Sequence, residues 1–200
     1  MDFEIARFVF ERSTEIGLTP SEVSFLLGKK DAYFFDLLDP TDKNKFKTEQ
    51  LDLLPAILDS TIREIIPNNI QPDEQVSITG SKKIHDTEQY KTITYRFTVE
   101  YKDKSTRDFI WKKKETKGER SKENEAVTNY LLKLIKEGYF DELKFALTIY
   151  LLLQENLGAA FTAKDIQTSL AILCRKQNKE PVLERKEDRS RFVYQKASLN

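Results

Sequence analysis

Side chains that do covalent or metal chemistry are scarce in this sequence. His85 is its only histidine and Cys174 its only cysteine, and one histidine with one distant thiol falls short of the three or four converging ligands a zinc-type site needs. His85 sits among Lys82, Lys83 and Asp86, a stretch that reads as a polar loop carrying an ordinary surface histidine. Cys174 falls on an apolar helical stripe with no histidine near it in sequence, the setting of a core thiol rather than of an activated nucleophile. The acid pair Asp141 and Glu142 stands where a helix is expected to start, and there it favours the helix dipole. Six glycines mark helix ends and form no phosphate-cradling loop. The expectation is a non-enzyme with no metal, no cofactor and no evident small-molecule ligand. A nucleic-acid-processing enzyme would require scattered carboxylates to converge around a divalent ion.

A different chemistry, the pairing of cations with phosphates, is better supplied. "WKKKETKGERSK" (111–122) sets Lys112, Lys113, Lys114, Lys117, Arg120 and Lys122 against Glu115 and Glu119, and reads as a flexible basic segment between modules, of the kind that tracks phosphates. Helical spacing places Lys164, Thr168 and Arg175 opposite Ile166, Leu170 and Leu173, with Gln167 beside them. A hairpin tip further on carries Arg185, Lys186, Arg189 and Arg191. Each cluster also has a plainer reading, as a charged connector or tip kept in water. The whole chain is neutral, 33 basic against 33 acidic residues, so total charge makes no case for nucleic acid. Residues 1–75 nevertheless hold 8 basic and 15 acidic residues, a net of −7, and the remainder is +7. Such asymmetry implies modules with different partners, or modules that face one another.

The elements that must position these groups follow from periodicity. Residues 3–16 repeat apolar side chains at helical spacing up to Gly17, and Thr19-Pro20-Ser21-Glu22 is a helix start. That second helix ends near Leu27, where Gly28 allows a sharp turn. A third, opening at Lys30 or Asp31, is closed by Pro40, and residues 48–66 read as one or two more. "PNNIQPDE" (67–74) is the linker candidate. "YKTITYRFTVEY" (90–101) alternates β-branched and aromatic residues with polar ones, as a half-buried strand does, with shorter strands at "VSITG" and "TRDFIWKK" and a hairpin turn at "KDKS" (102–105). Helices return from Ser121, one of them running from Asp141 to Leu157, and a Thr162/Asp165 capping box opens another over 162–177. "PVLERK" and "RFVYQK" close the chain as a hairpin.

Residues 17–58 resemble the phage-repressor or Cro-like helix-turn-helix family of the xenobiotic-response-element type. The residues that carry the likeness are Thr19-Pro20 at the helix start, Val23 in the apolar slot, Ser24 in the small slot and Gly28 at the turn. Phe34 and Leu37 fall on the buried side of the second helix, and Leu51, Leu54, Ile57 and Leu58 fit the packing helices. The resemblance implies that Lys30, Asp31, Ala32, Tyr33, Phe35 and Asp36 face the major groove, with Lys29 and Lys30 offsetting the two carboxylates. On the plainer reading, a helix-turn-helix scaffold used for packing or pairing, Phe34 is core and Phe35 a contact for another surface. The stretch 123–197 resembles a winged-helix domain, a second module with a basic face.

The expected fold is α+β and mostly α: a five-helix helix-turn-helix unit (1–66), a linker (67–75), an antiparallel β-meander (76–114) and a winged-helix-like unit (121–200). The expected function is a bacterial DNA-binding transcriptional regulator, a homodimer by family habit, on double-stranded DNA. Its DNA-contacting residues are Lys29, Lys30, Tyr33, Lys112, Lys113, Lys114, Lys164, Gln167, Thr168, Arg175, Arg185, Lys186, Arg189 and Arg191. The rival is a protein-interaction module that uses a helix-turn-helix scaffold without nucleic acid. No apolar run is long enough for a bilayer and no secretory leader is visible, so the expected address is the cytoplasm.

Overall fold

A computed structural model of the chain describes residues 2–39, 45–66, 76–116, 122–158, 160–174 and 182–197; the expected linker 67–75 and Arg175 lie outside them. The fold is mixed α+β with helices predominating. Helices α1 (Asp2–Glu15), α2 (Pro20–Leu26), α3 (Tyr33–Leu37), α4 (Thr48–Leu51), α5 (Leu54–Leu58) and α6 (Ile62–Ile65) precede strands β1 (Ser77–Asp86), β2 (Tyr90–Glu100) and β3 (Thr106–Thr116). Then come α7 (Glu125–Lys136), a 3-10 turn (Tyr139–Asp141), β4 (Lys144–Phe145), α8 (Ala146–Leu157), α9 (Ala163–Leu173), β5 (Leu183–Asp188) and β6 (Arg191–Lys196).

Two compact units divide the chain, Met1–Ser21 with Ala32–Glu119 and Glu22–Asp31 with Arg120–Asn200. These boundaries differ from 1–66, 76–114 and 121–200: the meander shares a unit with N-terminal helices, and the expected helix-turn-helix is divided at its corner. Most of α2 belongs to the second unit and α3 to the first. The charge asymmetry shrinks accordingly, with 17 basic and 20 acidic residues in the first unit and 16 and 13 in the second.

In the first unit, β1, β2 and β3 form an antiparallel sheet in that order. Alternation along β2 buries Tyr95, Phe97 and Val99 and leaves Arg96 and Thr98 exposed. Phe3 and Phe10 of α1 meet that buried side, Phe3 at 5.8 Å from the Phe97 ring and Phe10 at 5.1 Å from Trp111. Phe109 joins the same cluster, 5.4 Å from both Phe3 and Phe97. Phe97 and Trp111 are buried and each contributes about 1.5–3 kcal/mol, and the half-buried Phe3, Phe10 and Phe109 contribute less. Residues 48–66 make three short helices, because Pro55 opens α5 and Asp59 ends it in the left-handed region at φ 47°. Arg12 then donates to the carbonyls of Leu58 and Asp59 at 3.1 and 3.2 Å, which satisfies acceptors left over at that helix end.

The sheet is longer than the sequence pattern predicts. Tyr90 pairs with Thr116 and Asp86 with Lys91, so β1 and β3 run the length of β2. His85 lies on a strand, not in the expected loop, and the strand expected at "TRDFIWKK" runs on through Lys114 to Thr116, so residues 111–116 of the expected flexible connector are sheet.

In the second unit, β4, β6 and β5 form a small antiparallel sheet in that order. The helix expected from Asp141 starts at Ala146 instead, because Lys144 and Phe145 pair with Tyr194 and Val193. Asp141 and Glu142 therefore precede a strand rather than cap a helix. Thr162 and Asp165 form the expected capping box on α9, and Thr128 of α7 bonds Ser169 of α9 at 2.9 Å inside the core. Gly28 takes φ +71°, and a β-carbon there would lie 3.2 Å from that of Arg191. Phe192 donates its backbone N–H to the Gly28 carbonyl at 2.8 Å, so the turn after α2 and the start of β6 lie backbone to backbone. No helix among the described residues is long and apolar enough to cross a membrane.

Candidate nucleic-acid interface

Of the residues expected to read a groove from the N-terminal corner, Phe35 and Tyr33 are occupied by packing, while Lys30, Asp31, Ala32 and Asp36 are exposed. Phe35, expected on the exposed side of α3, is 0% exposed and stacks on Tyr95 at 4.9 Å. Tyr33 exchanges hydrogen bonds with Gln50, the shorter at 2.7 Å. Helix α3 spans only five residues, and both Phe34 and Phe35 are core. Lys29 donates its ammonium to the Ser190 carbonyl; Lys30 is exposed.

The expected basic face of the second unit is also partly engaged. Gln167 donates to the Asp31 carboxylate at 2.7 Å, and Thr168 donates to the Lys164 carbonyl within its own helix at 2.8 Å. The carboxylate of Glu22 accepts from the backbone N–H of Lys164 at 3.0 Å, so the positive end of α9 already holds an anion. Arg191 lies 4.1 Å from the Phe145 ring centre and donates to the Leu27 carbonyl at 3.3 Å. Lys186 is paired with Glu184 at 2.7 Å, while Arg185 lies 4.4 Å from the ring centre of Phe192. Arg189 is exposed at the tip, and Glu184, Glu187 and Asp188 stand among Arg185, Lys186 and Arg189. This hairpin offers little net positive charge.

A cleaner cationic surface stands on the first sheet. Register places Lys83 opposite Thr94 opposite Lys112, and His85 opposite Thr92 opposite Lys114. One row further, Arg96 stands between Ser81 and Ile110. Side chains alternate, so these residues share the sheet face turned away from Tyr95, Phe97 and Trp111. Lys83, Arg96, Lys112 and Lys114 are all exposed. Carboxylates on the same face are Asp108, bonded to Thr98 at 2.5 Å, and Glu100, both toward the 102–105 turn.

The two faces treat their cations differently. On the packed face Lys82 pairs with Asp39 at 2.8 Å, and Lys113, only 7% exposed, pairs with Glu115 at 2.5 Å. Asp39 holds the Lys82 ammonium above its ordinary pKa. Lys113 is therefore a structural cation, which corrects its expected place among the DNA contacts. On the open face Lys83, Arg96 and Lys112 make no ion pair or hydrogen bond among the described residues, and Lys114 only overlies the Tyr90 ring at 4.8 Å. Residues 76–119 carry 11 basic and 7 acidic residues, whereas the unit's other residues, 1–21 and 32–75, carry 6 and 13. The polarity seen between chain halves is thus largely a polarity within this unit, residues 1–21 and 32–75 against residues 76–119.

Lys83 and Arg96 were missed by sequence reasoning. The alternation of β2 already placed Arg96 among threonines on the polar side, but only the strand register brings Lys83 and Lys112 to either side of Thr94. Cys174 is half-buried, and desolvation pushes its thiol up to about 11, in keeping with a core role. Burial likewise raises Tyr194 well above the ordinary phenol range. Among the described residues no group of three or more His, Cys, Asp or Glu is placed to hold a metal ion.

Comparison of the chain with protein-family models, curated proteins and solved structures finds no match.

Proposed function

We propose that this protein is a DNA-binding regulator of cytoplasmic address whose main phosphate contacts come from the open face of β1–β3. The observation that carries the reading is the set of four exposed cations on one sheet face, Lys83, Arg96, Lys112 and Lys114, none in an ion pair among the described residues. Unpaired surface cations cost nothing to redirect, because no internal ion pair has to be broken before they meet a phosphate. The exposed Lys30, Lys164, Arg185, Lys186 and Arg189 add weaker, sequence-independent attraction. A homodimer on a two-fold site, as the helix-turn-helix resemblance implies, belongs to the same proposal.

The rival reading, a helix-turn-helix scaffold used for packing, is favoured for the corner alone. Buried Phe35, the bond from Gln167 to Asp31 and the capping of α9 by Glu22 all use it as a structural brace.

Fluorescence anisotropy with a random duplex, at about 50 mM and about 200 mM salt, tests the proposal. Steeply weaker binding at the higher salt, and its loss in Lys83→Glu/Lys112→Glu/Lys114→Glu, supports it. No affinity for duplex DNA at the lower salt eliminates it in favour of the rival.

A further inference from the structure

We infer that the open face of the first sheet lies in the major groove of B-form DNA, with Arg96 reading a guanine and Lys83 and Lys112 holding the two phosphate walls. The inference rests on the DNA-binding reading and adds how the surface docks and which residue sets specificity.

Width is the first argument. Three strands spaced by 4.7–4.9 Å make a slab about 14 Å across, so a major groove about 12 Å wide takes the central strand with the edge strands on its rims, and a minor groove about 6 Å wide takes none of it. Order within the sheet is the second. β2 is central and β1 and β3 are the edges, so a sheet laid along the groove turns β2 toward the floor and the edge strands toward the walls.

Residue types follow that division. The edge strands carry Lys83 on one side and Lys112 and Lys114 on the other, point charges suited to phosphate oxygens. The central strand's open side carries Thr92, Thr94 and a single arginine, Arg96. A guanidinium presents two parallel donors that match O6 and N7 of guanine, and threonine accommodates any base edge. Arg96 has no partner among the described residues, and its cross-strand neighbours, Ser81 and Ile110, present no opposite charge to retain it. Ile110, 56% exposed at the edge of this cationic patch, supplies an apolar surface for a thymine methyl group. Asp108 and Glu100 repel phosphate at the other end of the face, which confines the footprint to the rows from Thr92 to Arg96.

The test is in vitro selection from a pool of randomised DNA duplexes with the wild type, Arg96→Ala and Arg96→Lys, each first shown to be folded by circular dichroism. The expected result is a motif with a fixed guanine for the wild type. In Arg96→Ala preference at that position falls on the order of 10-fold or more. Arg96→Lys, whose ammonium still donates to O6 and N7 but without the planar fork, falls between the wild type and Arg96→Ala, while affinity of both variants for random duplex changes by less than about 3-fold. Methylating that guanine at N7 weakens the wild type alone, and duplex RNA of the same sequence fails to compete, because the A-form major groove is too narrow to admit a sheet. Selection of the same guanine by Arg96→Ala, or equal competition by duplex RNA, overturns the inference. So does wild-type binding without base preference, which leaves the DNA-binding reading standing. Absence of wild-type binding to any duplex removes both.

Discussion

Lys83 and Lys112 face each other across the central strand of the first sheet, each in register with Thr94 and neither paired with a carboxylate among the described residues. Two like charges kept on one exposed face without counterions are expected to draw counterions from solution, and a polyanion displaces them. Removing either lysine should therefore change salt dependence as well as affinity. Lys83→Gln and Lys112→Gln are each expected to reduce the slope of log affinity against log salt by about one. Lys104→Gln, in which the lost cation pairs with Glu100 at 3.1 Å, serves as the matched control and should leave the slope unchanged.

Phe35 stacks on Tyr95 within the core of the same unit. Truncation to alanine removes a fully buried ring and should cost about 3–5 kcal/mol in urea unfolding. Its exposed neighbour offers the contrast, since Asp36→Ala should change stability by less than about 1 kcal/mol. A groove-reading α3 would give the reverse pattern, with Phe35 dispensable for stability.

Glu22 is almost fully buried and accepts from the Lys164 backbone at the start of α9. Glu22→Ala leaves that N–H without its acceptor, at a cost of about 1–2 kcal/mol. Glu22→Gln keeps a carbonyl oxygen in reach and should cost less. Thermal melting of the two variants side by side measures the difference.

Two left-handed backbone positions in the second unit should respond with opposite signs. Gly28 at φ +71° has the start of β6 against it, so Gly28→Ala is strained twice over and should lower the melting temperature. Ser190 is left-handed at φ 62°, beside Arg189 at φ 47° in the β5–β6 turn. Glycine suits that conformation better than serine, and Ser190→Gly should stabilise by about 0.5–1 kcal/mol.

Cys174 has its thiol raised from 9.0 to about 11 by burial. At pH 8 the folded chain should react with iodoacetamide on the order of 100-fold more slowly than the chain in urea, since each pKa unit removes tenfold of the thiolate. The linkage has a definite sign: a raised folded-state pKa contributes stability that is whole below pH 9.0 and is lost as pH rises through about 11. Rapid labelling of the folded protein would mean that the thiol is not in the core.

The parts of this fold legible in the sequence are those where one periodicity dominates. Ile93 to Tyr101 alternate because the sheet is packed on one side and open on the other, and that pattern survives in a single strand. Helix α9 declares itself through the Thr162/Asp165 box. Segments lost to the reading are those in which tertiary pairing overrides a local pattern. Lys144 and Phe145 stand between Leu143 and Ala146 of a helix-like apolar stripe, yet bond to β6. Phe34 and Phe35 are adjacent and both buried, which no single helical stripe accommodates, because α3 is too short to have one. The corner from Thr19 to Gly28 has the right residues for a helix-turn-helix, but the residue types do not encode that α2 and α3 are divided between compact units. For the candidate site, Lys112 and Lys114 were found from composition. Separating them from Lys113, and joining them to Lys83 and Arg96, needs the register of three strands.

Lysine footprinting tests the central claim most directly. The folded protein is acetylated with and without saturating duplex DNA, and the modified sites are read by mass spectrometry. Protection of Lys83, Lys112 and Lys114, with Lys30, Lys164 and Lys186 still reactive, is the predicted result. Protection confined to Lys30, Lys164 and Lys186, with the sheet lysines acetylated as readily as in free protein, would contradict the account.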